Sequence, residues 1–180
     1  MKKTILFSAF ALLAAGTFAQ KRTTTSATIN FDATTSIDKL PKAENKTVVA
    51  AIDITKGTIA FEAMIKNFSF SNPMIQEHFN AEKWMDSDKF PTATFKGNII
   101  NKDKVDLTKP GKYTAEVEGD LTIHGVTKPV KTTAIIVIEE KLMVATAEFT
   151  IKLADYEING GAINAGKVSK EPVITVRAEL

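Results

Sequence analysis

Between Lys112 and Ile123 the chain alternates strictly between polar residues and apolar or small ones. Side chains of a β-strand point alternately to its two faces, so this pattern predicts a strand with one apolar and one solvated face. The same alternation recurs over Ile29–Ile37, Val48–Ile54, Ile59–Ile65, Ala93–Ile99, Met143–Leu153 and Ile174–Leu180. Roughly a third of the residues on these apolar faces are alanine or glycine, which are too small to fill the interior of an eight-stranded barrel. The pattern therefore predicts a barrel with a hollow centre.

Turn-forming residues separate the predicted strands. They occur at Asp38–Lys46, Lys56–Gly57, Asn101–Gly111, His124–Gly125 and Glu139–Lys141. Short turns of this kind join neighbouring strands in antiparallel pairs. Together, the alternation and the turns predict an all-β fold, an antiparallel barrel of about eight strands.

One segment interrupts the strand pattern with a helical one. Pro73 suits the first turn of a helix, and Ser71 and Asn72 before it are suitable capping residues. Apolar side chains then follow at helical spacing, which predicts one short helical insertion, with a further turn over Ala81–Asp88. Methionine and aromatic residues at helical spacing favour ordinary core packing, and the alternative is a lid over one mouth of the barrel.

The first residues have the pattern of an export signal. Lys2 and Lys3 precede an apolar stretch, and Thr17–Ala19 forms a small-x-small cleavage site. We therefore expect residues 1–19 to be a signal peptide and residues 20–180 to form a single domain, located in the periplasm or secreted. Gln20 stands where a lipoprotein would carry its lipid-bearing cysteine, so a lipoprotein is not expected.

Composition narrows the classes of partner. The chain has no cysteine, so its stability has to come from the core rather than from disulfides. Cleavage after residue 19 removes two of the 23 Lys and Arg residues and none of the 21 Asp and Glu residues. The mature domain is then close to neutral, which argues against nucleic acid as a partner because nucleic-acid binding needs clustered positive charge.

Sequence motifs for catalysis or metal binding are lacking. His78 and His124 are the only two histidines, and neither lies in a spacing typical of zinc ligands. The sequence also has no cysteine nucleophile and no GxSxG motif. We therefore predict a protein without catalytic residues, without a metal site and without a cofactor.

Two longer stretches carry a resemblance to a known family. Met74–Gly97, with HFN and PTATF, and Gly119–Val130, GDLTIHGVTKPV, resemble the signature stretches of the YceI-like family of exported lipid-binding proteins. The resemblance implies a lipocalin-like barrel whose apolar lumen holds a polyisoprenoid chain, and no catalytic activity. Asp155 and Tyr156 match the family pattern, whereas Leu153 and Glu157 stand where relatives often have Arg and Gly.

Combining the alternation with this resemblance gives a set of candidate ligand-binding residues. The candidates for the wall of the lumen are Phe31, Phe61, Ala63, Phe95, Ala115, Leu121, Ala147 and Phe149. The candidates near an entrance are Met74, Phe79, Trp84 and Met85. Phe68 and Phe70, which follow a predicted bulge or bend after Ile65, are two further candidates. We predict that these residues contact a long apolar chain.

The resulting functional prediction is an exported carrier that sequesters or shuttles a long apolar molecule. A polyisoprenoid or an isoprenoid quinone is the expected guest, followed by a fatty acyl lipid. Transient contact with a membrane is compatible with this role, and the oligomeric state, including a dimer, is left open. One alternative is an exported protein-interaction module with a solidly packed barrel, and another is an enzyme that uses His78 or His124 as a general base.

Overall fold

Nine strands make up most of the structure, a computed structural model that describes residues 20–180. The predicted signal peptide lies outside the described residues. The strands are β1 Lys21–Asp32, β2 Lys42–Asp53, β3 Thr58–Met64, β4 Ser69–Phe70, β5 Thr92–Ile99, β6 Gly111–Ile123, β7 Val126–Glu139, β8 Leu142–Thr150 and β9 Val173–Glu179. Two helices, α1 Pro73–Asn80 and α2 Gly161–Asn164, and three 3-10 turns, Ile65–Asn67, Lys102–Lys104 and Leu153–Tyr156, lie between them.

Eight of the strands close into a ring. Their order around the sheet is β1-β9-β8-β7-β6-β5-β3-β2, every pairing is antiparallel, and β1 pairs with β2 to complete the circle. The ninth strand, β4, pairs only with Ala43 and Glu44 of β2. The predicted antiparallel barrel of about eight strands with a short helical insertion is therefore confirmed.

The longest hairpin joins β6 to β7 through the predicted turn His124–Gly125. Ile123 pairs with Val126, so these two residues alone make the turn, and both have positive φ angles, 52° and 75°. Tight turns with this left-handed backbone match the twist of the strands they join, and glycine adopts it without steric cost. The two turn residues themselves therefore specify this hairpin.

The helix α1 begins as its sequence predicts. The Asn72 side chain accepts a hydrogen bond of 2.9 Å from the Met74 amide, and Pro73 occupies the first turn. Residues 81–88 form turns rather than a further helix. The insertion is thus one helix of eight residues followed by an irregular segment.

The strand predicted over Ile29–Ile37 is displaced toward the N-terminus. β1 runs from Lys21 to Asp32, and Ile37 is 70% exposed in the following loop. The Thr35 hydroxyl accepts hydrogen bonds from the amides of Ile37 and Asp38, and such local bonds compete with strand pairing. Likewise, β2 already begins at Lys42, inside the predicted turn Asp38–Lys46.

The penultimate strand is also shorter than predicted. The alternation predicted a strand through Leu153, but β8 ends at Thr150 and a 3-10 turn follows at Leu153–Tyr156. The backbone reverses after this turn at Glu157, which has a φ of 60°. The residues at the end of the predicted strand therefore fold over one end of the barrel.

Two hydrophobic clusters occupy the two ends of the barrel. At the lower end, the loop of residues 100–110 folds Val105 and Leu107 into the barrel. We call the buried residues packed there the lower plug: Ile99, Val105, Leu107, Ala115, Ile138 and Met143. At the upper end, α1 and residues 81–91 and 151–172 pack over the mouth of the barrel.

Candidate functional site

A hollow lies between the lower plug and the segments at the upper end. It contains about 1400 Å³ of space that protein atoms do not occupy, part of it open to solvent. All eight strands of the ring contribute to its wall, because each presents one face to the interior. Measured as a cavity, the hollow has a volume of about 150 Å³.

The wall of the hollow is apolar. Its lining residues include no charged side chain, and among them only Thr94, Thr132 and Thr146 carry a hydroxyl group. The Thr132 hydroxyl donates to the carbonyl oxygen of Glu148, so its proton is already engaged. Such a wall can bind hydrocarbon but offers few groups that recognise a polar molecule.

Half-buried side chains distinguish this wall from an ordinary core. Ile29, Phe61, Phe149 and Val176 point inward and pack against the upper cluster, yet they remain partly accessible because they also line the hollow. Lower plug residues such as Ile99 and Met143 are 1% and 0% exposed. The interior is thus packed at its lower end and open above it.

The structure brings most of the predicted site residues together. Eleven of the fourteen candidates line the hollow: Phe31, Phe61, Ala63, Phe68, Phe79, Trp84, Met85, Phe95, Leu121, Ala147 and Phe149. Whether they contact a ligand stays a prediction. The other three, Phe70, Met74 and Ala115, are not part of the lining.

These three positions need correction. Ala115 faces inward as predicted, but it is 0% exposed within the lower plug, because the 100–110 loop fills that end. Met74 lies in the first turn of α1 with 63% of its surface exposed, so it faces away from the hollow. Phe70 is buried behind Phe79, with ring centroids 4.9 Å apart.

An aromatic cluster forms the upper part of the wall. The ring of Phe79 on α1 lies among those of Phe31, Phe68 and Phe70, with centroid distances of 5.9, 5.9 and 4.9 Å. Tilted pairs at these distances add to the stability from buried area. The α1 helix is therefore attached to the barrel mainly through Phe79.

The segment after α1 folds back on the helix and carries two further lining residues. The Met85 amide donates to the Phe79 carbonyl at 3.1 Å, and the Ser87 amide donates to the Asn80 carbonyl at 3.1 Å. These bonds hold Trp84 and Met85 toward the hollow, and the indole of Trp84 lies beside Gly160 of the neighbouring loop. Phe79, Trp84 and Met85 therefore line the upper part of the hollow, and whether this end is an entrance stays a prediction.

Small residues in the wall have two different roles. Ala63, Ala93, Ala145 and Ala147 line the hollow, as the sequence pattern predicts. The inward-facing glycines of β5 and β6 are not part of the lining, because the ring of Phe95 lies against both of them. Alanine therefore leaves space for a guest, whereas these glycines leave space for a side chain.

Titratable groups lie outside the lining. His78 is exposed on α1, and His124 Nδ1 donates to the Tyr156 carbonyl at 3.1 Å while its ring packs edge-on to Phe90. Burial, together with the neighbouring Asp155 carboxylate, raises the pKa of Tyr156 to about 12. In the described part of the chain, no cluster of three or more His, Asp or Glu residues could hold a metal ion.

Sequence reasoning missed the contribution of β7. Val130, Thr132, Ala134 and Ile136 line the hollow, and they alternate with polar residues only as far as Thr133. From Ala134 to Ile138 both faces of the strand are apolar, which hides the period of two. The turns predicted on either side of this segment were the available signal.

Comparison with known proteins identifies the family. The model of the YceI-like domain matches residues 10–180. The chain belongs to the YceI-like family. Protein YceI of Escherichia coli is 26% identical over 156 residues, which are 83% of this chain and 70% of that protein. A UPF0312 protein of Pseudomonas fluorescens is 41% identical over 54 residues, but this match spans 30% of the chain and only 26% of that relative.

Two solved structures show the same fold. BcnA of Burkholderia cenocepacia has a TM-score of 0.71 at 17% identity, covering 86% of this chain and 96% of that one. A polyisoprenoid binding domain from Saccharophagus degradans has a TM-score of 0.70 at 16% identity, covering 86% and 94%. The barrel is therefore a shared architecture at low sequence identity. Within residues 20–180, none of the helices of this chain has the length and apolar character needed to cross a membrane.

Proposed function

We propose that this protein is an exported carrier that holds the apolar chain of a lipid in its hollow. The observation that carries the proposal is a hollow inside the barrel, lined by all eight strands of the ring, whose lining includes no charged residue. The guest we propose is a polyisoprenoid or an isoprenoid quinone, followed by a fatty acyl lipid. Binding, rather than catalysis, is the role we assign, since neither histidine lines the hollow.

The hydrophobic effect is sufficient for retention in such a site. Each methylene group removed from water contributes about 0.8 kcal/mol, so a chain of several isoprene units binds strongly without a charged contact. The same wall discriminates poorly between head groups and better between chain lengths and widths. We therefore expect a guest defined mainly by its hydrocarbon part.

Two further observations support the lipid class. The solved domain from Saccharophagus degradans is a polyisoprenoid binding domain, and it shares the barrel fold. The alternative of a protein-interaction module requires a solidly packed barrel, whereas this barrel has a hollow between its two packed ends. The hollow favours the carrier.

Export is the part of the proposal that rests on the first nineteen residues. Lys2, Lys3 and the site ending at Ala19 have the pattern of a signal peptide, and Gln20 is not a lipid-bearing cysteine. We propose that the mature protein begins at Gln20 and resides in the periplasm or is secreted. Cell fractionation with N-terminal sequencing tests this, and a protein found intact at Met1 in the cytoplasm would contradict it.

Native mass spectrometry of the protein purified from its own host tests the ligand. We expect a mass increment that organic extraction removes and that chemical analysis of the extract identifies as a long apolar lipid. The same protein, stripped and mixed with an isoprenoid alcohol, should regain an increment of one ligand. A stripped protein that takes up no apolar chain of any length would exclude the carrier role.

A further inference from the structure

The ring of Phe95 lies about midway along the hollow, between the upper and the lower cluster. Register places Phe95 of β5 level with Phe61 of β3 and Leu121 of β6. Phe95 packs against both the upper cluster and the lower one. Above it the wall includes Phe79 and Trp84, and below it the wall continues to residues 134–136, next to the lower plug.

Two glycines hold this ring against the wall. Gly97 follows two residues after Phe95 on the same face of β5, and it pairs directly with Gly119 of β6. A Cβ atom on Gly97 would lie 2.6 Å from the Phe95 ring, and one on Gly119 would lie 2.8 Å from it. We call this pair the glycine niche.

Any residue larger than glycine at position 97 or 119 would displace the ring of Phe95. A Cβ at Gly97 or Gly119 would also come within 2.6 and 2.4 Å of backbone atoms of the facing strand. Glycine in the interior of a strand weakens it and often marks a close approach of other atoms. Covering such glycines with an aromatic ring offsets part of that loss. The ring therefore lies flat along the strand instead of projecting across the hollow.

We propose that Phe95, held in the glycine niche, determines how deeply a guest chain enters the barrel. With the ring against the wall, a chain passes from the upper part of the hollow to the floor near Ala134 and Ile136. This inference rests on the proposed carrier function and adds a length preference to it: the protein selects chains long enough to pass Phe95. The niche thus serves specificity as well as packing.

Uptake of all-trans isoprenoid alcohols of increasing length tests the inference. The probes are geraniol, farnesol, geranylgeraniol and solanesol, and native mass spectrometry measures the bound fraction. In the natural protein, affinity should rise through the series. In Phe95→Trp the larger indole exceeds the niche and narrows the passage, so affinity for the two longest alcohols should fall by about tenfold or more, with geraniol unchanged.

Two variants with a smaller side chain serve as controls. Phe95→Ala leaves the passage open, so it should keep the length dependence of the natural protein. Phe90→Ala removes a ring that lies outside the lining, beside His124, and it should also keep the length dependence. If Phe95→Ala loses affinity for the long alcohols as Phe95→Trp does, the ring is an ordinary contact and the inference is wrong.

A second measurement uses the natural protein and needs no variant. A geranylgeraniol analogue with a photoreactive group at its far end should label the tryptic peptide 132–141, which contains the floor residues. Labels confined to residues above Phe95 would overturn the inference while leaving the carrier function intact. A natural protein that binds none of the alcohols would instead overturn the carrier function itself.

Discussion

The lower plug and the hollow above it are built from the same strands with the same alternation, yet they differ in packing. Ala115, Ala134 and Ala147 are neighbours in one row across β6, β7 and β8. Ala115 is completely buried, whereas Ala147 lines the hollow. The difference comes from residues 100–110, which insert Val105 and Leu107 at the lower end. The face to which a side chain points is therefore set by the local strand, whereas its burial is set by a distant loop.

The largest expected difference between the two regions is in the cost of removing a side chain. Ile99→Ala empties a site that is 1% exposed, so we expect the free energy of unfolding to fall by about 2 to 5 kcal/mol. Ile29→Ala removes the same atoms from the wall of the hollow and should cost less than half as much. Chemical denaturation of the two ligand-free variants measures this, and equal losses would mean that the hollow is packed in solution.

Enlarging a side chain should also affect the stability of the two regions differently. Ala115→Phe overpacks the lower plug, so we expect destabilisation by about 1 to 3 kcal/mol. Ala147→Phe places the same ring in the hollow. The free energy of unfolding should therefore change by less than about 1 kcal/mol, while lipid uptake is lost. Denaturation and ligand-binding measurements on both variants check this. A stable Ala147→Phe protein that binds as much lipid as the natural one would contradict the assignment of the site.

A smaller effect is expected at the helix over the upper end. Asn72→Ala removes the cap of α1 and should cost about 1 kcal/mol, without disturbing the lower plug. Because α1 carries Phe79 into the wall, we expect faster release of a bound chain, measured by exchange of a labelled lipid. Asn72→Asp keeps a capping oxygen and should release at the natural rate. An unchanged rate in Asn72→Ala would show that α1 does not control release.

The smallest expected effects concern the pH dependence of stability, which should differ between the two ends of the barrel. Hydrogen bonds from Thr108 and Lys109 lower the pKa of Asp106, in the lower loop, to about 2. The unfolded state then binds the proton more readily, so this stabilisation is complete above the ordinary value of 3.8 and is lost as the pH falls toward 2. Asp106→Asn should therefore flatten the acid limb of the stability curve.

At the upper end of the barrel, the dependence of stability on pH has the opposite sign. Burial first, and the Asp155 charge second, raise the pKa of Tyr156 to about 12. The folded state holds the proton more tightly, so this stabilisation is complete below the ordinary value of 10.0 and is lost as the pH rises toward 12. Tyr156→Phe should flatten only the alkaline limb, as followed by circular dichroism. A change of the acid limb in this variant would contradict the assignment.

Sequence alone was sufficient where structure depends on neighbouring residues. The alternation of β6, the His124–Gly125 turn and the Asn72–Pro73 start of α1 are local features, and all three are present. The predicted end of β1 at Ile37 was wrong, because Thr35 forms local hydrogen bonds in the loop that follows Asp32. Local hydrogen bonding of this kind competes with the hydrophobic pattern.

The site was predictable in part for a similar reason. Parity identifies which side chains point inward, and eleven of the fourteen candidates line the hollow. The alternation along a strand does not give the position of a residue along the barrel axis, which is why Ala115 was misplaced. It also does not distinguish Gly97 and Gly119 from alanines that line the hollow, although the ring of Phe95 covers both glycines. Depth and side-chain direction depend on contacts between distant segments.

The position of Trp84 has a practical consequence. It is the only tryptophan of the chain, and it lies at the upper end of the hollow, beside Gly160. Its fluorescence therefore originates from a single point, and an entering hydrocarbon changes the polarity around the indole directly. If the proposed carrier role holds, Trp84 is an intrinsic optical reporter of occupancy, and loading and release should be measurable in real time without any label.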